Sequence, residues 1–270
     1  TELLAEATEA LGELPTPVRV EIPALTEPYA PNLDAQLEAV WRHRPAALTF
    51  HFGLPPEHVV EQAHRQNIAV CVTATCLSEA KLIAAAGADF VVAQGWEAGG
   101  HRGTFTADAD DEALPLLALV RALSKDLSIP IVAAGGLMNG GDIAKVIAAG
   151  ATAAQLGTAF LCCDEAGTPA THREVLTAAA AETVFTLAFS GRPARGVRNT
   201  FIEAMAGKPV LPFPQQNTLT GSLRQWAASA EQPGFQSVWS GSGLGGIRPM
   251  SAAQLMATLK HELARAAIRS

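Results

Sequence analysis

The residues best suited to chemistry lie between Ala88 and Gly103, in the stretch ADFVVAQGWEAGGHRG. The apolar run from Phe90 to Ala93 predicts a buried strand. The glycines that follow predict a loop whose backbone N–H groups can closely approach a ligand. Because imidazole accepts a proton near neutral pH, His101 in this loop is the candidate general base. A flexible turn with an exposed histidine is the alternative for this stretch taken alone.

Two later apolar runs end in the same way. Ile129 to Gly136 reads IPIVAAGG, and Ala151 to Thr158 reads ATAAQLGT. Helix-like segments separate these runs, which is typical of parallel strands whose neighbouring ends converge on a phosphate. Plain turns at Gly135 and Gly157 remain the alternative.

The elements that must position these residues follow from hydrophobic periodicity. Strands are predicted at 18–22, 46–52, 68–74, 89–93, 129–134 and 152–156. Helices are predicted at 1–14, 32–43, 56–66, 78–87, 113–127, 141–149, 171–181, 219–230 and 251–270. We expect Asn32 or Asp34 to cap the second helix and Ser78 to cap the fourth. The repeat of strand, loop and helix, without a hairpin signal, predicts a parallel α/β fold.

Three stretches fall outside this repeat. The acidic stretch 104–112 predicts a solvated loop. Residues 183–189 have the composition of a strand. The glycines and prolines of 190–215 predict long irregular connections.

Composition limits the classes of function. The chain has 270 residues, a net charge of −7 and no basic stripe, so we expect no nucleic-acid partner. No apolar run reaches the roughly 20 residues of a membrane span, so we expect no membrane partner. The cysteines have no zinc spacing, and no histidine–carboxylate spacing predicts a metal site. A reduced, cytoplasmic protein is expected.

Three motifs together carry a family resemblance. EAGGHRG, AAGGLMNGGDIAKVIAAGATAAQLGTAFL and AFSGRPARGVRN occur in this order, and the chain from about Leu48 onward resembles the nitronate monooxygenases, formerly called 2-nitropropane dioxygenases. The resemblance implies an FMN-dependent α/β enzyme with a TIM (β/α)8 barrel. We therefore expect one FMN-binding domain over 1–270, with barrel strands and helices in 1–160 and a helical C-terminal extension in 161–270.

The strand count bears on where the sequence begins. Six strands are predicted, whereas a closed barrel needs eight. The family has a strand, a helix and a second strand before the position of Thr1. We therefore expect the first two strands to be absent from this sequence, because N-terminal residues are missing or unnumbered.

The resemblance also implies a set of site residues. His101 is the implied catalytic base. The implied flavin and phosphate contacts are Gln94, Gly99, Gly100, Gly135, Gly136, Gln155, Leu156, Gly157 and Thr158. His51 and Ser190 are expected in the substrate pocket, with a core position as the alternative for His51. Arg192 and Arg195 are expected either to hold a nitro group or to form salt bridges.

The implied reaction is the oxidation of alkyl nitronates, and of nitroalkanes, by O2 to a carbonyl compound and nitrite. Three alternatives stay open: an NAD(P)H:quinone reductase or enoyl-carrier-protein reductase of the same flavin fold, a flavin-free phosphate-binding barrel, and a non-catalytic relic. The oligomeric state is open, and a homodimer is compatible with the sequence.

Overall fold

The computed structural model describes residues 2–16, 23–107, 110–178 and 181–268. In chain order the strands are β1 Ala47–Phe50, β2 Ala69–Ala74, β3 Phe90–Gln94, β4 Gly100–His101, β5 Ile131–Ala134, β6 Ala153–Gln155, β7 Thr183–Thr186 and β8 Ala194–Val197. The α-helices are α1 Glu2–Gly12, α2 Leu33–His43, α3 Glu57–Arg65, α4 Leu77–Ala85, α5 Leu116–Asp126, α6 Gly140–Ala148, α7 Ala170–Thr177, α8 Thr200–Ala204, α9 Gln215–Leu219, α10 Gly221–Ser229 and α11 Ala252–Ala267.

The predicted strands between 46 and 156 are confirmed as β1, β2, β3, β5 and β6, whereas the predicted strand 18–22 lies outside the described residues. Each predicted helix overlaps an observed one. Asn32 caps α2 by accepting a hydrogen bond from the Ala35 N–H at 3.1 Å. The expectation for Ser78 was wrong: it lies inside the first turn of α4, and Cys76 precedes that helix without a side-chain cap.

The chain forms two compact units. The first, here called the sheet unit, consists of Asn32–Ala98, Arg102–Ala166 and Gly246–Ser270. The second, here called the histidine unit, consists of Thr1–Pro31, Gly99–His101 and Gly167–Gly245.

The sheet unit contains a parallel sheet in the order β1-β2-β3-β5-β6. Its core lies where apolar stripes of α4, α5 and α6 pack on the strands, with Ile83, Leu119, Leu123 and Val91 fully buried. Burying these stripes is what stabilises the alternation of strand and helix. Helix α11 packs against α6 and begins with a capping box in which Ser251 and Gln254 exchange hydrogen bonds with each other's backbone N–H.

The histidine unit contains a smaller sheet in the order β4-β8-β7, with antiparallel pairs. The expected absence of hairpins was therefore wrong for β7 and β8, and residues 190–215 are not wholly irregular because they include β8 and α8. No two-residue turn joins β7 to β8, so the usual hairpin signal is missing from the sequence. Phe189 and Phe201 pack in the core of this unit at a ring-centroid distance of 4.6 Å.

The contact of α6 with α11 depends on Gly140, the first residue of α6. A Cβ there would lie 2.5 Å from the Glu262 Cβ and closer still to the Leu263 backbone nitrogen. We expect Gly140→Ala to lower the free energy of unfolding by about 1–3 kcal/mol through overpacking, measured by urea denaturation. Gly221→Ala is the control, because it also begins a helix but has no atom within 4 Å of its Cβ position. Equal stabilities of the two variants would contradict this packing.

Candidate active site

The carboxyl ends of three neighbouring strands lie in one row. Gln94 at the end of β3 pairs with Ala134 at the end of β5, and Ala134 pairs with Gln155 at the end of β6. Adjacent strands lie about 4.8 Å apart. The turns that follow these three residues therefore leave the same edge of the sheet side by side, as the sequence predicts.

The turns after β5 and β6 are built from glycine. Gly135 and Gly136 have φ values of +130° and +67°, which residues with a Cβ rarely adopt. Gly157 has an ordinary φ of −111°, is exposed, and precedes the short 3₁₀ helix Thr158–Phe160. A Cβ at Gly157 would meet no atom within 4 Å. Space is therefore open beside the backbone of this turn, while the half-buried Leu156 side chain packs against the core.

The N-terminus of α6 lies beside the Gly135–Gly136 turn in sequence, but protein oxygens already accept two of its first N–H groups. Asn139 accepts from the Asp142 N–H at 3.0 Å, and Glu262 accepts from the Gly140 N–H at 2.8 Å. The Gly140 hydrogen bond and the charge of Arg248 outweigh partial burial and hold the pKa of Glu262 below its ordinary value. A charged carboxylate at this helix end disfavours a second anion there.

Arg102, the residue after His101, is 1% exposed and organises the loop that follows β3. Its guanidinium donates to the backbone carbonyls of Gln94 at 2.7 Å and Gly95 at 3.1 Å. It also forms a two-pronged ion pair with Asp111, at 2.6 Å and 3.0 Å. The Trp96 ring lies 5.4 Å from the guanidinium carbon. Bidentate geometry and this degree of burial make the pair a strong constraint on the loop.

The Asp111 carboxylate is 18% exposed, so the expectation of a solvated acidic loop was wrong at this position. Burial opposes its ionisation. Hydrogen bonds from Arg102 and the Ala113 N–H, with the charge of Arg102, outweigh burial and lower the pKa of Asp111 from its ordinary value. Two further carboxylates brace the same segment: Glu97 accepts from the Leu116 N–H at the start of α5, and Glu79 accepts from the Phe105 N–H.

The Gln94 side chain is buried at the end of β3. Its Oε1 accepts a hydrogen bond from the Gly103 N–H at 2.8 Å, so it helps to shape the loop. His51 follows β1 and is exposed, which excludes the alternative of a core histidine. A Cβ at Gly103 would lie 2.7 Å from the His51 ring, so the absence of a side chain there lets the imidazole lie against this loop.

His101 lies in the histidine unit, where it forms β4 and pairs with Ala194 of β8. Its Nε2 is 2.8 Å from the Ser190 Oγ. The ring is half-buried and contacts Trp239 and Phe213, with centroid distances of 5.6 Å and 5.9 Å. The imidazole is therefore held in a defined orientation and is not a mobile loop side chain.

The other candidates in this unit have separate positions. Gly99 lies against the backbone of Ser240 and Gly241, where a Cβ would overlap both residues. Gly100 has a φ of +74°. The Arg195 guanidinium lies over the Phe185 ring at 4.2 Å and donates to the Thr183 Oγ1 at 3.3 Å.

Sequence reasoning missed several residues that hold these groups. The sequence analysis placed Asp111 in a solvated loop, although an acidic run so close to Arg102 is a usable signal for an ion pair. Gln216 is fully buried and bridges the Leu211 N–H and the Ala188 carbonyl, and Thr220 donates to the Phe189 carbonyl at 2.6 Å. No local pattern marks Gln216 or Thr220, because their partners are distant in sequence or belong to the backbone.

Comparison with known proteins identifies the family. The family model described as nitronate monooxygenase matches residues 6–262. The chain belongs to the nitronate monooxygenase family. It is 45% identical over 231 residues to a nitronate monooxygenase of Pseudomonas aeruginosa, covering 84% of this chain and 66% of that protein. It is 42% identical to a nitronate monooxygenase of Paraburkholderia phytofirmans, covering 85% of this chain and 64% of that protein. The chain thus spans just under two thirds of the length of these relatives.

Solved structures of similar proteins confirm the α/β fold class and its mostly helical C-terminal segment. A nitroalkane oxidase from Streptomyces ansochromogenes has a TM-score of 0.85 and 41% identity, covering 87% of this chain and 69% of that one. FabK from Thermotoga maritima has a TM-score of 0.73 and 26% identity, covering 91% and 75%. Within the described ranges, no helix is both long and apolar enough to cross a membrane.

The Arg102–Asp111 pair gives a testable effect on stability. We expect Asp111→Asn to lower the free energy of unfolding by about 3 kcal/mol at pH 7, because it leaves the buried guanidinium without its counter-charge. Since the folded pKa of Asp111 lies below its unfolded value, its contribution is present above the unfolded pKa and is lost as pH falls through the folded pKa. The difference between variant and parent should therefore shrink on acidification.

Urea denaturation at neutral and acidic pH measures this difference. Asp110→Asn is the matched control, because Asp110 is exposed and adjacent in sequence. A loss for Asp111→Asn that is no greater than that for Asp110→Asn would contradict the role of the pair.

Proposed function

We propose that this chain binds FMN and oxidises alkyl nitronates, and nitroalkanes, with O2 to give a carbonyl compound and nitrite. Membership of the nitronate monooxygenase family supports the reaction class. The observation that carries the proposal is the open space at Gly157, in a turn next to the Gly135–Gly136 turn on the neighbouring strand. No protein atom requires a glycine at this position, and the missing side chain lets a ligand approach the backbone closely.

The candidate donors for a flavin phosphate are backbone N–H groups of the sheet unit. At the N-terminus of α6 the Gly140 and Asp142 N–H groups already donate to Glu262 and Asn139, and the charged Glu262 carboxylate disfavours a phosphate dianion there. The first N–H groups of a 3₁₀ turn have no acceptor within that turn. We therefore assign the phosphate to Gly136 and to the backbone from Gln155 to Thr158, with the Thr158 hydroxyl as a further donor. The donors fit a dianion without requiring a lysine.

In this proposal FMN, when bound, supplies an electron acceptor that O2 can reoxidise. Gln94 and the Gly99–Gly100 segment are the proposed contacts for the rest of the cofactor. His51 and Ser190 are the proposed residues on the substrate side.

His101 is the proposed base for nitroalkanes. Its imidazole removes the α-proton, and the electron pair of the broken C–H bond stays on the substrate as a nitronate. A nitronate supplied directly needs no proton removal, and His101 then orients it and stabilises its charge. The contacts of the ring with Ser190, Trp239 and Phe213 support this assignment, since a catalytic base must be held in place.

The phosphate assignment predicts a defect in cofactor binding without a defect in folding. We expect Gly157→Ala to raise the Kd for FMN at least about tenfold, which corresponds to about 1.4 kcal/mol, because its methyl group occupies the phosphate space. The melting temperature without FMN should stay unchanged, since the methyl meets no protein atom. The measurement is a flavin fluorescence titration.

Gly167→Ala is the control for that titration, because its Cβ position is also open and it lies outside the assigned site. A normal Kd in Gly157→Ala would contradict the phosphate assignment. A wild-type protein that neither retains nor binds FMN would contradict the proposed function itself.

The base assignment predicts a dependence on substrate. We expect His101→Asn to lower nitrite release from a nitroalkane by about 10²–10⁴-fold, and to lower release from the preformed nitronate by less, because only the nitroalkane needs a base. Exposed His261 provides the control variant His261→Asn, which should match the wild type.

Equal losses of nitrite release by His101→Asn on both substrates would exclude the base role.

Anaerobic mixing of the wild type with NADH separates this function from the reductases that the sequence also resembles. The flavin of a nitronate monooxygenase should remain oxidised, whereas rapid bleaching would favour a reductase.

A further inference from the structure

The Ser190 hydroxyl has an arrangement of neighbours that decides where its proton lies. Among the described residues, its Oγ is within hydrogen-bond distance of His101 Nε2 at 2.8 Å, the Arg192 carbonyl at 3.2 Å and the Arg192 N–H at 3.4 Å. Ser190 is 1% exposed, so water does not compete freely for these positions. A hydroxyl donates one hydrogen bond and can accept two.

One proton arrangement satisfies all three contacts. The Arg192 carbonyl can only accept, and the Arg192 N–H can only donate. If Ser190 donates to the carbonyl, its two lone pairs accept from the Arg192 N–H and from a proton on His101 Nε2. If Ser190 instead donates to His101, its oxygen faces the Arg192 carbonyl oxygen at 3.2 Å with no proton between them. Full satisfaction of buried polar groups favours the first arrangement.

The surrounding backbone keeps Ser190 in this position. The carbonyl of Ala188 accepts from Gln216 at 2.9 Å, and the carbonyl of Phe189 accepts from Thr220. Gly191 has a φ of +77°, and its N–H donates to the Leu187 carbonyl at 2.8 Å. The hydroxyl is thus held by a loop whose turn is fixed on both sides.

We propose that Ser190 is a positioning residue that keeps neutral His101 protonated on Nε2, so that Nδ1 is the nitrogen that receives a proton from the substrate. The identity of that substrate rests on the proposed function. The α-carbon loses its proton to Nδ1, the C–H electron pair remains on the substrate, and the ring becomes an imidazolium. Its Nε2–H continues to donate to Ser190, so no hydrogen bond in this network reverses during the transfer.

Nitrogen-15 NMR of the full-length protein, with its cofactor as isolated, tests the proposal directly. The shifts of the two ring nitrogens, and their couplings to the ring protons, distinguish the two neutral tautomers. His101→Gln identifies the His101 signals by their disappearance. We expect the Nε2–H form to dominate in the wild type above the pH at which the rings titrate. Dominance of the Nδ1–H form would overturn the proposal whether or not any variant folds.

Ser190→Ala should shift His101 towards a mixture of tautomers. It should also lower kcat/KM for a nitroalkane by about ten- to a hundredfold, because the imidazolium that forms during proton transfer no longer donates to the hydroxyl. Ser190→Thr, which keeps the hydroxyl, should restore both the Nε2–H tautomer and kcat/KM. Thr186→Val is the structural control, because it removes a hydroxyl that accepts a hydrogen bond from the nearby Ala188 N–H. The His101 tautomer in this variant should match that of the wild type.

An unchanged tautomer in folded Ser190→Ala would overturn the proposal. This readout is independent of turnover. A wild type that releases no nitrite, yet shows the Nε2–H tautomer, would remove the proposed reaction and leave the Ser190 assignment in place.

Discussion

The buried Arg102 guanidinium is the interaction on which the loop after β3 depends. A charge with 1% exposure must be paired, since an unpaired buried cation costs several kcal/mol. Arg102 meets this requirement with Asp111 and with the carbonyls of Gln94 and Gly95. The loop between these residues therefore has little freedom to take another path. Arg102 follows His101 directly in the chain, and the pair fixes the backbone from Arg102 onward within the sheet unit.

His101 is constrained by a different kind of interaction on its other side. Its strand pairs with β8, its Nε2 meets Ser190, and two aromatic rings limit its rotation. Charge pairing sets the backbone after His101, whereas hydrogen bonding and ring packing set the imidazole itself. A group that must move a proton benefits from both, because small errors in position weaken general base catalysis.

Glycines that have a close neighbour and glycines in open space are not separated by the sequence. Gly99, Gly103 and Gly140 are packed so closely that a Cβ would overlap a neighbour, so glycine is a steric need there. Gly157 has neither a close neighbour nor an unusual φ. A glycine in open space beside a strand end leaves its backbone N–H accessible to a ligand. In the one-letter sequence the two kinds look alike, because packing is a property of the neighbours.

The sequence by itself determined the alternation of strands and helices in the sheet unit. It also placed Gln94, Gly135 and Gly157 at the carboxyl ends of strands and marked His101 as the candidate base. Those features depend on periodicity and on residue type, which are local. Only the tertiary structure decided that Arg102 pairs with Asp111, that His101 meets Ser190 eighty-nine positions away, and that β4, β8 and β7 form a second sheet. The His101–Ser190 contact and the second sheet join residues that are far apart in sequence, and they form only when separate elements pack together. For Arg102 the acidic run nearby was a signal, but the sequence does not show which of its acidic residues turns inward to pair with the guanidinium.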